Sequence, residues 1–276
     1  MRRVTTPPEP DQLKQRLAGL FDRTADSYES TGVAYFDVFG RHLVALAGLR
    51  PGDVVLDAGC GRGAATLPAA EAVGERGRVE AIDLAPAMVA LLSATAPPNV
   101  TVAVGDAESP EFADGTFDAV LSAFVIFMLP DPHAALRRYR ALLKPGGTVA
   151  LSQFPAQPPG KWNDVGNVAA RYLEGPPPFR PGTSPVSAPE GLAEALREAG
   201  FTNVRQETEE HETTFRDLDQ WWAWAWSHGQ RGLYESIPAD RLEEAKAALY
   251  EHLGAGEPEG EPLRLVQRVT YTVATA

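Results

Sequence analysis

Along the chain, short β-branched apolar runs alternate with stretches whose apolar residues recur at helical spacing. That alternation predicts a parallel sheet with crossover helices. Leu13, Leu17, Leu20 and Phe21 share one face of a predicted helix over 11–21, and a second apolar-faced helix over 33–49 ends near Gly48. Pro51-Gly52 turns the chain into a first strand at 54–57, and further strands are predicted at 78–82, 100–104, 117–122 and 148–154. Between the fourth and fifth, Asp131 caps a helix and Pro132 occupies its first turn. Leu136, Tyr139, Leu142 and Leu143 make its buried stripe, and Lys144-Pro145-Gly146-Gly147 ends it. The next third is less regular. Residues 161–174 read as helix, whereas 175–189 is too rich in proline for a core element and reads as a surface crossing or lid. A helix over 189–199, stopped by Gly200, leads to a sixth strand near 203–206. Residues 215–253 read as helix in two pieces split near Gly229–Gly232, and 263–273 alternates as a last strand.

The fold class implied is α/β: a doubly wound, mostly parallel seven-stranded sheet with helical insertions, its last strand a candidate for reversal. A length of 276 residues allows one or two domains, but no linker separates two cores, so one domain is expected over 1–276. Within it, 1–50 is an N-terminal helical lid, 51–155 the ligand-binding core, and 156–202 and 210–260 substrate-side insertions.

Composition narrows the partners. A formal charge of −12 repels phosphate backbones, and Arg137, Arg138, Arg140 and Lys144 read as the solvated face of a helix, so nucleic acid is not expected. Cys60 is the single cysteine, which excludes an internal disulfide and a thiolate zinc cluster. The N-terminus carries no signal-peptide pattern, and the longest apolar stretch, 119–129, falls short of the ~20 residues of a spanning helix. A cytoplasmic protein without a membrane span is the expectation.

The candidate chemistry starts at Val55-Leu56-Asp57-Ala58-Gly59-Cys60-Gly61-Arg62-Gly63, a strand entering a glycine-rich turn that opens a helix. Glycines there let backbone approach a ligand closely while the helix end presents free N–H groups. With Ala64 the spacing also satisfies the relaxed dinucleotide fingerprint. Three acids separate the ligand classes. Asp57 lies at the mouth of the turn, which disfavours pyrophosphate and suits a cationic ligand. Asp83 ends the second strand, where it can accept hydrogen bonds from ribose hydroxyls. Asp106 ends the third, within reach of an adenine amino group.

These segments resemble the class I S-adenosylmethionine-dependent methyltransferases, in particular the small-molecule branch of ubiquinone and menaquinone C-methyltransferases. The resemblance covers about residues 21–155. It rests on D-A-G-C-G-R-G at 57–63, A-I-D-L-A-P-A-M at 81–88, G-D-A-E at 105–108 and L-L-K-P-G-G-T-V at 142–149. It implies a seven-stranded sheet with a reversed final strand, and S-adenosyl-L-methionine as cofactor. It further implies that Gly59, Gly61 and Gly63 pass under the methionine and ribose, with Asp57 ordering the loop or facing the amino group. Asp83 would bind the ribose diol, Leu84 and Met88 would line the adenine, and Asp106 with the Ala107 backbone would address the adenine edge. The segment Ser122 to Phe124 would flank the methionine. Phe21 to Tyr28 resembles the family's lid, with Tyr28 closing over the sulfonium, where an aromatic face is worth roughly 0.5–2 kcal/mol. The family often carries a histidine or small polar residue in the segment that here reads Ala123-Phe124-Val125-Ile126-Phe127-Met128-Leu129, so a base from that segment is not expected.

The acceptor side is read from Trp221-Trp222-Ala223-Trp224-Ala225-Trp226 and His228. In a helix, Trp221, Trp224, Ala225 and His228 share one face, and Trp222 with Trp226 form another. His228 is the candidate catalytic base or acceptor contact; His42, His133, His211 and His252 are expected to face water. Four tryptophans in six residues suit an aromatic or isoprenoid-like small molecule, with the interface of a homo-oligomer as the rival reading. Ser152-Gln153-Phe154-Pro155 at the exit of strand five lacks acidic metal ligands, so no metal is expected. The leading reading is methyl transfer to a small, largely apolar natural product or metabolite, O-methylation ahead of C-methylation because of His228. A C-methyltransferase of an aromatic, quinol or isoprenoid acceptor, or a methyltransferase-fold cyclase, is the alternative. An NAD-dependent reductase ranks lower, since Asp57 and Asp106 disfavour it and no Tyr-x-x-x-Lys pair is present.

Overall fold

The computed structural model describes residues 9–157, 159–176, 184–256 and 260–276. Two helices, α1 (Pro10–Thr24) and α2 (Phe36–Ala47), precede the sheet. Strands and helices then alternate: β1 (Val54–Ala58), α3 (Thr66–Val73), β2 (Arg78–Asp83), α4 (Pro86–Ser93), β3 (Val100–Val104), β4 (Phe117–Ala123), α5 (Pro132–Leu142) and β5 (Leu143–Gln153). The chain continues through α6 (Lys161–Ala170), α7 (Pro189–Glu198), β6 (Thr202–Phe215), α8 (Leu218–Trp226), α9 (Arg231–Tyr234) and α10 (Leu242–Gly254) into β7 (Leu263–Thr275).

The seven strands form one sheet in the order β3-β2-β1-β4-β5-β7-β6. The first five are parallel, and β7 runs antiparallel to both β5 and β6, so the last strand is reversed. Strand order turns around between β1 and β4, and open α/β sheets bind ligands in the crevice outside the carboxyl ends at that switch point. The central strands are buried on both faces. Val55, Ala119 and Leu121 pack into the core under α2 and α3, and Leu56, Phe117 and Val120 into the core under α5 and α7. Strands covered on both sides lose the polar alternation, which is why Ala119-Val120-Leu121 at the centre of β4 is continuously apolar.

Local signals hold at the predicted stops. Gly48 takes the left-handed conformation that ends α2, and the Asp131 side chain accepts from the Ala134 amide at 2.8 Å to start α5. Three boundaries differ from expectation. β5 begins at Leu143 rather than 148, because Leu143 is already extended and the chain passes straight from helix into strand. β6 runs to Phe215, so the acidic stretch 207–212 is strand. Being an outer strand it is mostly exposed and carries no apolar period of its own; its register is held by β7, whose Leu263, Leu265 and Val269 are buried. The helical segment between β6 and β7 accordingly begins after Phe215 rather than at 210. Third, the helical stretch after Gly229 is α9 followed by α10, not one piece. Of the proline-rich crossing expected at 175–189, residues 177–183 lie outside the described residues.

α1 is tied to the loops at the carboxyl edge. Lys14 Nζ donates to Asp106 Oδ2 at 2.7 Å and Glu108 Oε1 at 2.6 Å, and Asp22 Oδ1 accepts from the Ala87 amide at 2.8 Å. Arg23 Nη2 reaches Glu235 Oε2 at 2.6 Å, joining α1 to α9.

Candidate functional site

At the carboxyl ends of the strands a chamber of about 2050 Å³ opens between the glycine turn, α1, α2 and the α8–α9 segment. A pocket for one drug-sized ligand measures roughly 300–1,000 Å³, so there is room for two.

The glycine turn is held from below. The amides of Gly59 and Cys60 both donate to the Ile82 carbonyl, at 2.8 and 2.9 Å, and the Gly61 amide donates to Asp83 Oδ2 at 2.8 Å. Gly59 has φ +84°, and a Cβ there would lie 2.4 Å from Val125. Gly61 has φ +51° with nothing within 4 Å of an added Cβ, which leaves its backbone open to the chamber. Gly63 differs: a Cβ would meet Leu92 at 2.6 Å, so this glycine serves helix packing and is not in the chamber wall.

Asp57 is 1% exposed. Its Oδ2 accepts from Thr66 Oγ1 at 2.6 Å, while Oδ1 is buried with no partner. Burial pushes its carboxyl up to about 7, against the Thr66 hydrogen bond that favours the ionised form. An orphaned buried carboxylate oxygen is costly unless a cation or donor arrives, so Asp57 is a site prepared for one. Asp83 is raised as well, chiefly by burial, although the amides of Ala85 and Gly61 oppose the shift. Its Oδ1 accepts from Ala85 at 2.9 Å.

Tyr28, Asp57, Gly59, Gly61, Asp83 and Met88 are thus brought together on one wall, and Phe124 lines the same chamber on the wall beside it. Leu84, Asp106, Ala107 and Ser122 stand outside it. Asp106 faces Lys14 and also accepts from the Glu108 amide at 2.8 Å; the Ala107 carbonyl accepts from Tyr139 Oη at 2.7 Å; Ser122 Oγ donates to the Ala58 carbonyl at 3.0 Å.

That adjoining wall is aromatic. Phe124 takes a left-handed backbone, φ +58°, and stacks on Phe154 at 4.4 Å. Phe36 stacks on Tyr28 at 5.3 Å and meets Phe124 edge-on at 5.5 Å. Trp221 and Trp224 on α8 line the chamber together with His228, two residues beyond the helix, while Trp222 and Trp226 pack behind Tyr234, itself a lining residue. His228 is buried edge-on against Trp224 at 4.2 Å, and burial pushes its imidazole down to about 4, so it is neutral at physiological pH. Among the described residues no carboxylate bonds its ring. Tyr35 Oη donates to Gln267 Oε1 at the same end. The other histidines lie elsewhere. His211, expected to face water, is half-buried against Phe39 at 4.9 Å; His42 pairs with Glu207 at 2.6 Å on the outer surface.

Sequence reasoning missed Glu29, Tyr35 and Phe36. Glu29 follows directly on Tyr28, and its carboxylate accepts from the Tyr35 and Phe36 amides, each at 3.2 Å. The only local signal is an aromatic pair at the start of a helix, which is indistinguishable from ordinary packing.

A reversed seventh strand, a glycine turn at the switch point and acids after the first three strands define the fold of the S-adenosylmethionine-dependent methyltransferases. Residues 55–147 match a family model described as a methyltransferase domain. The chain is 37% identical to nocamycin O-methyltransferase of Saccharothrix syringae, over 91% of this chain and 95% of that one. It is 34% identical to aklanonic acid methyltransferase DauC of Streptomyces sp. strain C5, over 71% and 96%. Its backbone superimposes on the [4+2]-cyclase SpnF with a TM-score of 0.59 at 18% identity, covering 97% of each, a likeness of fold. The chain belongs to the S-adenosylmethionine-dependent methyltransferases. No helix among the described residues is long and apolar enough to cross a membrane.

The residues present fit the cofactor. The unpartnered Asp57 oxygen suits a cationic ligand, and the open Gly61 backbone leaves room for close approach.

Proposed function

We propose that this methyltransferase acts on an oxygen of a small, largely apolar aromatic natural product. The observation that carries the reading is the aromatic wall, continuous with the cofactor wall in a chamber large enough for two ligands. Similarity to methyltransferases named for nocamycin and aklanonic acid supports it.

Asp57, Gly59, Gly61, Asp83, Met88 and Tyr28 would hold S-adenosyl-L-methionine. When bound, the cofactor supplies a sulfonium-activated methyl group, open to attack by a lone pair of the acceptor. Tyr28, Phe36 and Phe124 form an aromatic partition, which would orient the acceptor and help to keep water from the reacting centre. His228, neutral and without an orienting acid, serves as a hydrogen-bonding contact to the acceptor. The Tyr35–Gln267 pair adds a second polar point at that end.

The reading is tested by following S-adenosylhomocysteine formation with and without flat polycyclic phenols. Acceptor-dependent product supports it; formation that no such acceptor stimulates contradicts it.

Asp57 also gives a pH signature. In the free protein its carboxyl titrates near pH 7, whereas a bound ammonium favours the ionised form. Affinity for S-adenosylhomocysteine is therefore expected to fall as pH drops below 7, by up to about tenfold per unit. The stability of the free protein has the opposite slope. The folded state holds this proton more tightly than the unfolded one, so the group's contribution declines as pH rises from about 4 to 7. Calorimetric titration from pH 5.5 to 8.5 checks the affinity, and Asp57→Asn is expected to flatten it.

A further inference from the structure

We infer that Glu29 is the catalytic base that takes the proton of the acceptor hydroxyl. The inference rests on the O-methyltransferase reading above and deepens it.

Position comes first. Among the described residues five acids line the chamber: Asp57 and Asp83 belong to the cofactor wall, Glu235 is held by Arg23 and Arg231, and Asp37 is exposed. Glu29 alone stands where the two walls meet. It adjoins Tyr28 on the cofactor side and is bonded to the amides of Tyr35 and Phe36, whose rings belong to the acceptor side. Phe36 touches Tyr28, Phe124 and His228 at once, at 5.3, 5.5 and 6.1 Å.

The group is also free to accept a proton. Each carboxylate oxygen takes one backbone N–H and keeps a further lone pair. The two amides fix its orientation, as a base needs. No lysine, arginine or histidine forms an ion pair with it among the described residues.

The backbone supports the same reading. Among the described residues three non-glycines have left-handed φ, and two of them, Glu29 at +57° and Phe124 at +58°, line this chamber. Strained conformations persist where the surroundings enforce them, commonly at functional sites.

Electrostatics agree. Burial, with a contribution from Asp37, raises the Glu29 carboxyl above its ordinary range, while the two amides and Arg62 restrain the rise; Tyr28 and Tyr35 are the other titratable groups facing it. A carboxylate moved towards neutral pH is a better base there than an imidazole pushed down to about 4. In the step, the acceptor O–H bond breaks as its oxygen bonds the methyl carbon. The carbon–sulfur electron pair stays on sulfur, and the proton moves to a Glu29 oxygen.

The probe is 2-hydroxyanthraquinone, bound to protein saturated with S-adenosylhomocysteine. Tryptophan quenching reports its binding and visible absorbance its ionisation. A neighbouring carboxylate opposes a second negative charge, so the bound hydroxyl is expected to ionise about one pH unit lower in Glu29→Gln than in the parent protein. With S-adenosylmethionine, Glu29→Gln is expected to lose roughly 10²-fold or more in kcat with little change in KM, together with the acid limb of the pH profile. His228→Gln is expected to raise KM and keep that limb. Glu29→Gly, which suits the left-handed backbone, is expected to regain turnover with added formate. Equal ionisation midpoints, an unchanged acid limb, or no rescue by formate overturns the assignment of the base alone. If neither protein binds the probe while both bind S-adenosylhomocysteine, the aromatic-acceptor reading fails and the assignment fails with it.

Discussion

Alanine at Gly40 is expected to unseat the cofactor turn. Gly40 lies in α2, where this helix crosses the start of α3. A Cβ at this position would sit 2.0 Å from the Ala64 carbonyl oxygen, 2.4 Å from its carbon and 2.9 Å from the Ala65 nitrogen. All three are backbone atoms, so no rotamer change relieves the overlap, and α2 must move away from the residues that follow Gly63. Helix propensity alone predicts the reverse, a gain of about 0.5–1 kcal/mol for alanine over glycine in a helix. Overpacking of a core costs about 1–3 kcal/mol even when side chains can adjust. A loss of about 3 kcal/mol or more is therefore expected, read as a melting temperature lower by about 6–12 °C. Affinity for S-adenosylhomocysteine should fall with it. Gly166→Ala in α6 is the control, since nothing lies within 4 Å of its added Cβ and only the propensity gain remains. Equal melting temperatures for Gly40→Ala and the parent protein would show that the crossing is looser than described.

Asparagine at Asp83 is expected to have the larger effect on binding. The two carboxylate oxygens tie chain segments together: one accepts from Gly61, 22 residues away, and the other from Ala85 at the start of α4. Asparagine supplies one acceptor and turns an amide N–H₂ towards the other backbone donor. One buried N–H then loses its partner and meets another donor, a larger penalty than the loss of one bond. Gly61 lines the chamber, so a change of its orientation is felt by the ligand directly. Affinity for S-adenosylhomocysteine is expected to fall about 100-fold, equivalent to about 2.7 kcal/mol. Calorimetric titration checks this, and affinity within threefold of the parent protein would remove Asp83 from the site.

These two positions also mark how far the sequence could be read. The glycine turn, Asp57 and Asp83 were legible because strand, turn and acid fall within a few residues of one another. Strand–turn–helix context alone fixes which way they face. β7 was legible as an alternating run after a helical insertion, and its reversal as what the family resemblance implies. Gly40 was not, because its partner, the Ala64 backbone, is a tertiary neighbour and a helical glycine carries no sign of what lies against it. Glu29 was hidden for the same reason: its role depends on amides six and seven residues away that meet it only once α2 folds back. The length of β6 was obscured because an exposed outer strand has no buried face to set a period. Lys14 on Asp106 went unforeseen, since a contact across 92 residues leaves no trace in local spacing.

For the acceptor wall, the helical reading holds over 221–226, with His228 two residues beyond the helix, and separates two faces. Which one lines the chamber was decided by packing: Tyr234 covers Trp222 and Trp226, leaving Trp221, Trp224 and His228 on the inside. Periodicity defines the faces of a helix, and only neighbouring elements determine which of them is covered.

The most direct test of the account is the fate of the methyl group. The protein is incubated with S-adenosyl-L-methionine carrying a ¹³C-methyl group and a hydroxylated polycyclic aromatic acceptor, and the product is read by carbon NMR. The account predicts a labelled methoxy signal that depends on enzyme and acceptor and is lost in Asp83→Asn. Label bonded to a ring or chain carbon would contradict O-methylation, and a product altered without any label would contradict methyl transfer itself.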